Sequence, residues 1–224
     1  AVESDRERAA LYRRMASLWE EIPGSSARAE ECLEKLLAVD PRSEDALRSL
    51  ERLYYAERKW AELIDACRRH AELVPPPNAG EIHFQIAAIY EHELRDPDKA
   101  IESYLDVETL LPNHADTMEA LTRVYEKTAQ WQKAADVLAR RAQLAEIKSQ
   151  RLELHHKAGE IYAEKLGDAA KAETRFVRAL EIDPTHVPSM TALVEIYRKN
   201  GDFLKAAKLL VEAVPHTPNR LERT

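Results

Sequence analysis

Pro41, Pro75, Pro112, Pro184 and Pro218 recur on one period, and that period constrains the fold more than any other feature of the chain. Pro41 to Pro75 and Pro184 to Pro218 are 34 residues each, while Pro41 to Pro112 and Pro112 to Pro184 are 71 and 72. A fixed period of this length marks a stack of small units, none of which can bury its apolar face alone. The residues before the prolines repeat as well. Tyr162, Ala172, Phe176, Ala179 and Pro184 lie 10, 4, 3 and 5 residues apart, and so do Tyr90, Ala100, Tyr104, Val107 and Pro112. Trp19, Ala29, Leu33, Leu36 and Pro41 repeat the same intervals. Steps of 3 and 4 keep side chains on one face of a helix. The proline then ends that helix, because it has no N–H to offer the preceding turn.

Composition supports helices throughout. Ala, Leu, Glu, Arg and Lys, all good helix formers, dominate a chain with only five glycines and three phenylalanines. No segment alternates β-branched and polar residues as a strand would. First helices are predicted near 5–21, 43–56, 79–93, 115–127, 148–165 and 187–199, and second helices near 27–39, 60–73, 98–110, 131–145, 169–182 and 203–214.

The units alternate in kind. Odd ones carry an extra residue, placed here between their helices: Ile22-Pro23-Gly24-Ser25-Ser26, Leu94-Arg95-Asp96-Pro97 and Leu166-Gly167-Asp168. Asp96 followed by Pro97 reads as an N-cap and first-turn pair. Even units have a tight turn and an aromatic residue entering the second helix: Trp60, Trp131 and Phe203. The repeating object is therefore a double unit of 71 or 72 residues, present three times. Pro75-Pro76-Pro77 is the one proline cluster, but a helix start follows at Asn78-Ala79-Gly80-Glu81, so a single domain over 1–224 is expected.

This pattern resembles the tetratricopeptide repeat, a pair of antiparallel helices in about 34 residues. Met190, Leu193, Tyr197, Ala206, Leu210, Ala213 and Pro218 match the family's large, small and proline slots, and Gly159 fills a small slot in the fifth unit. The resemblance covers nearly the whole chain, as repeats at about 8–41, 42–75, 78–112, 113–146, 150–184 and 185–218. It implies an all-α, right-handed superhelical solenoid of about twelve helices. Even repeats depart from it: Glu51, Thr122 and Val194 stand where a small residue is usual, and His70 and Arg141 occupy another small slot. A looser, partly exposed seam is expected there. Asn219 to Thr224 read as the start of a seventh repeat, so a fragment of a longer array is expected.

Charge and motifs exclude most chemistry. The net charge is −7, with 13 basic and 16 acidic residues over 1–75, 7 and 13 over 76–146, and 13 and 11 over 147–224. An acidic body argues against nucleic-acid binding, which draws affinity from neutralised phosphates. No apolar run reaches membrane-spanning length. Cys32 and Cys67 lie within amphipathic patterns and read as small buried side chains. His83 and His155 sit at equivalent places in odd repeats, so their spacing is inherited, while His155 and His156 point about 100° apart on a helix. No His or Cys pair has metal-ligand spacing, and no glycine-rich phosphate loop or nucleophile elbow is present. The chain is expected to be no enzyme and to need no cofactor or metal. A cytoplasmic setting is the default expectation.

What remains is the concave face that the resemblance implies, lined by the first helices. Carried onto this chain, the facing positions are Arg13 and Ser17; Asp45, Arg48, Arg52 and Tyr55; Glu81, Phe84, Ala88 and Glu91; Asp116, Glu119, Arg123 and Glu126; Glu153, His156, Glu160 and Ala163; Thr191, Glu195 and Arg198. The first third is basic, flanked by Tyr55 and Phe84, and the rest is mainly acidic apart from Arg123 and Arg198. The family's carboxylate clamp for chaperone tails, a Lys and two Asn, is missing: its slots hold Arg13, Ser17 and Ser49, or Arg48, Arg52 and Gln85. Two expectations compete for the arginines. Either Arg13, Arg48 and Arg52 receive an acidic or C-terminal peptide, with Tyr55 and Phe84 on its apolar side chains, or they pair with Asp45, Glu20 and Glu21. The function expected is a protein or peptide scaffold. The alternative is a spacer or a self-assembly element that associates through its terminal repeats.

Overall fold

The computed structural model describes residues 2–216 and contains, among them, twelve α-helices and no strand. They are α1 (Val2–Glu20), α2 (Ser26–Val39), α3 (Glu44–Glu57), α4 (Trp60–Ala71), α5 (Pro76–Ala88), α6 (Pro97–Leu110), α7 (Ala115–Lys127), α8 (Trp131–Leu144), α9 (Lys148–Glu160), α10 (Ala169–Ile182), α11 (Val187–Asn200) and α12 (Phe203–Ala213). The chain divides into two compact units, Ala1–His114 with α1 to α6 and Ala115–Thr224 with α7 to α12. Pro218 and the start of a seventh repeat lie outside the described residues.

Each odd-numbered helix packs on the next helix in sequence, and the short turns between them make the pairs antiparallel. Within the first unit α2 packs on α3 and α4 on α5; within the second, α8 packs on α9 and α10 on α11. The periodic residues form the core. Ala29, Ala100, Ala134 and Ala172 are buried small residues where two helices touch. Gly159 is tighter still, since a Cβ there would lie 2.6 Å from the buried Phe176 ring. Every repeat also lays a cation from its second helix or the turn before it over the aromatic that ends its first. The pairs are Arg28 on Trp19, Lys59 on Tyr54, Lys99 on Tyr90, Lys133 on Tyr125, Lys171 on Tyr162 and Lys205 on Tyr197. Such contacts contribute about 0.5–1 kcal/mol each.

Two features differ from the sequence expectation. In the third and fifth repeats the extra residue is not in the loop. It is absorbed in a π-helical turn that ends the first helix, Ile89–Glu93 and Ile161–Lys165. Leu94 N–H reaches back to the Ile89 carbonyl at 3.0 Å and Leu166 N–H to the Ile161 carbonyl at 3.1 Å. Asp96 and Asp168 then cap α6 and α10 by accepting from the Lys99 and Lys171 N–H groups. Those backbone bonds hold both carboxyls below the usual range. In the first repeat, by contrast, the extra length stays in the turn, where Gly24 has φ +79°.

The second difference lies at the seam of the even repeats, which is partly exposed but has its polar residues paired rather than turned to solvent. Glu51 and His70 find each other: the Glu51 carboxylate lies 2.8 Å from His70 Nδ1, and His70 is buried. Thr122 is buried, with its hydroxyl donating to the Met118 carbonyl, and Arg141 donates to Glu119 at 3.1 Å. Polar residues at two small-residue slots thus pair with one another in the second repeat, through His70 Nδ1.

Candidate functional site

The basic stretch of the first unit borders a cleft of about 540 Å³ between α3 and α5. Its floor is Leu63 and Cys67 of α4, and its walls include Tyr55, Ala88 and Ile89. Arg52, Glu51, Gln85, His92 and Glu93 supply the polar rim. A largely apolar concavity with a few polar groups at its edge is the usual form of a binding site. Three of the wall residues, Ile89, His92 and Glu93, belong to the π-helical turn. One added residue turns later side chains by about 100°, so the insertion changes the direction of the residues after it, His92 and Glu93, at the cleft rim.

The rim is held by exchangeable contacts. Arg52 donates to Glu20 at 3.1 Å and to the Ser49 hydroxyl at 3.2 Å, and its side chain is 72% exposed. Arg48 pairs with Glu44 one turn away at 3.2 Å, rather than with Asp45. Exposed pairs of this kind contribute about 0–1 kcal/mol. Tyr55 is exposed and stands edge-on to Trp60 at 5.7 Å between ring centroids. Arg13 and Arg52 meet at a second, smaller cleft of about 150 Å³ with Ser17, Glu20 and Asp45. Arg48 instead borders a third, of about 360 Å³, with His70 and Glu81.

Other residues of the expected face are placed differently. Phe84 is half-buried, its ring 5.5 Å from Tyr104 and 5.6 Å from His114, and does not line the large cleft. Glu91 is buried and accepts from the Tyr104 hydroxyl at 3.0 Å, so it is a packing residue rather than a groove residue. In the second unit Glu119 is exposed and bound to Arg141, and Arg123 on α7 is half-buried. His156 is half-buried, its Nδ1 3.0 Å from the Ser189 hydroxyl and its ring against Phe176 and His186. His186 Nδ1 shares the same hydroxyl at 2.8 Å, and burial foremost pushes its pKa down. Ser189 is fully buried, so this Ser–His group ties α9 to α11 and offers no accessible nucleophile. Burial, with Glu51 adding, pushes the Cys67 thiol up to about 12, which leaves it a protonated floor residue.

Sequence reasoning missed Leu63, Ile89, His92 and Glu93. For His92 and Glu93 the available signal was the extra residue of the third repeat, which it placed in the loop. Among the described residues, no three His, Cys, Asp or Glu side chains gather to hold a metal ion, and no helix is long and apolar enough to cross a membrane.

The helical pairs and their stacking define a helical-repeat protein. Two models of the tetratricopeptide repeat match it, one over residues 163–223 and the other over 46–79 and 117–152, together more than half of the sequence. The chain belongs to the tetratricopeptide repeat family, whose fold serves as a protein–protein interaction scaffold. Protein NPGR2 of Arabidopsis thaliana is 33% identical over 96 residues, 43% of this chain, and the chain spans 12% of that relative's length. Among solved structures, Naa15/Naa10 bound to HypK-THB superposes with a TM-score of 0.58 at 19% identity, over 89% of this chain and 30% of that one. The MamA protein superposes with a TM-score of 0.49 at 19% identity, over 79% of this chain and 92% of that one.

Proposed function

We propose that the chain is a non-enzymatic scaffold that holds an extended peptide across the cleft between α3 and α5. An apolar side chain of the peptide fills the space over Leu63 and Ile89, and a neighbouring carboxylate meets Arg52. One observation carries this reading: the 540 Å³ cleft opens beside Arg52 and Tyr55, which are both largely exposed. An Arg–carboxylate fork is stronger than the exposed pair with Glu20 that it would replace. Arg13 and Arg48, at the adjoining clefts, extend the basic track. Phe84 supports the track from within, while Glu119, Arg123 and His156 serve a separate, lesser surface of the second unit.

The test uses short peptides selected on the wild-type chain from a random library, with affinity read by fluorescence polarisation. Arg52→Glu and Tyr55→Ala are each expected to weaken binding at least about tenfold, the loss of roughly 1.5–3 kcal/mol. Unchanged affinity in both variants overturns the reading.

A further inference from the structure

Repeats five and six are joined by one hydroxyl that serves two imidazoles. Ser189 is fully buried near the start of α11. Its Oγ lies 3.0 Å from His156 Nδ1 on α9 and 2.8 Å from His186 Nδ1 at the N-cap of α11. The two rings stand edge to face with centroids 5.1 Å apart, and the Phe176 ring of α10 lies 5.4 Å from His156. The arrangement is not inherited from the duplication. Counting back by the 72- and 71-residue steps, the equivalent positions hold Phe84, His114 and Thr117, and before them Arg13, Ser43 and Ala46. Only the last double repeat places two histidines there.

Proton counting sets what this group tolerates. A serine hydroxyl has one hydrogen to give and lone pairs to receive, and each imidazole donates through a nitrogen only when that nitrogen is protonated. With both rings neutral, one Nδ1–H donates to Ser189 Oγ, and the Oγ–H donates to the other Nδ1. One added proton is accommodated, because the donating ring takes it at Nε2. On His156 that nitrogen lies 3.4 Å from the Glu160 carboxylate. A second proton is not accommodated. Both Nδ1 atoms then carry hydrogen, and the Ser189 hydroxyl loses its acceptor where no water reaches it. Two like charges also face each other at ring-contact distance, and one of them sits at a helix N-terminus, where a cation is disfavoured.

We propose that His156, His186 and Ser189 form an acid-released latch between repeats five and six, which holds α11 on α9 at neutral pH and opens when both rings are protonated. The latch does not depend on the peptide cleft of the first unit. The charges around it agree in direction. Burial first, then the charge of His156, pushes the His186 pKa below its ordinary 6.5, against the upward pull of Glu153 on α9 and Asp183 after α10. A folded-state pKa lowered in this way contributes stability that is complete above pH 6.5 and is lost as pH falls below it.

Hydrogen–deuterium exchange of the chain at pH 7 and pH 5, corrected for the intrinsic pH dependence of exchange, tests the latch with two variants. His186→Asn keeps an N-cap and offers Ser189 a donor or an acceptor at either pH. His156→Phe copies the third repeat, where Phe84 stands edge-on to His114 at 5.6 Å. Circular dichroism at pH 7 checks that both variants fold, and His186→Asn suffices should His156→Phe fail. In wild type, opening of the first two turns of α11 is expected to rise at least about tenfold from pH 7 to pH 5, the equivalent of one pKa unit. In either variant most of that rise should vanish. An equal rise in wild type and His186→Asn places the acid effect elsewhere and overturns the latch. A rise kept in His156→Phe alone means that His186 acts without a partner, and the two-histidine latch fails. No rise in wild type means that the pair holds both protons, and the latch fails as well.

Discussion

Glu51 and His70 show how two unfavourable residues become one acceptable pair. Each occupies a slot where a small side chain is usual, and each alone would bury an unmet polar group. Their 2.8 Å contact removes that penalty for Glu51 and for His70 Nδ1. Glu51→Ala is expected to destabilise the chain by about 1–3 kcal/mol, because it strands a buried imidazole. Glu51→Ala combined with His70→Leu is expected to recover most of that loss in urea unfolding. A double variant as unstable as the sum of the singles would mean that the two residues act independently. Tyr197 carries a second residue-level prediction. Burial first, then its bond to Glu173, pushes its pKa up to about 12 from an ordinary value near 10. A folded-state pKa raised in this way contributes stability that is complete below pH 10 and is lost as pH climbs toward 12. The tyrosinate absorbance removed by Tyr197→Phe should therefore appear above pH 11, and appearance near pH 10 would contradict the assignment.

At the scale of the element, helix positions were legible in the sequence because period, caps and prolines all agreed. Helix α10 is predicted at 169–182 and found at Ala169–Ile182, and α7 is predicted at 115–127 and found at Ala115–Lys127. The π-helical turns were not legible, since one extra residue can lengthen a loop or bulge a helix, and the composition of Leu94 to Pro97 suits both. The misplaced residue is also why His92 and Glu93 went unseen at the cleft, whereas Arg52 and Tyr55, on a first helix that carries no insertion, were placed on the candidate face. The even repeats turn on left-handed residues, Arg58, Ala129 and Gly201. Glycine suits that conformation and Ala does not, so Ala129→Gly is expected to raise stability by about 0.5–1 kcal/mol, read by thermal unfolding. Gly159→Ala should do the opposite, by about 1–3 kcal/mol, because its Cβ would press on the buried Phe176 ring and force it to shift.

On the scale of the whole molecule, the proposed function rests on repetition with local departures. Similar helix pairs recur along the chain, and the π-helical turn of the third repeat, together with Arg52 and Tyr55 of the second, surrounds an apolar hollow. Phe84 and Glu91, which the family resemblance placed on the same face, are drawn into packing by Tyr104. Their neighbours across the repeat cannot be read from spacing alone. The most direct measurement is hydrogen–deuterium exchange of the chain with and without a library-selected peptide. The account predicts new protection in residues 48–55 and 85–93 and little change in α9 to α12. Protection confined to the second unit, or none at saturating peptide, would contradict it.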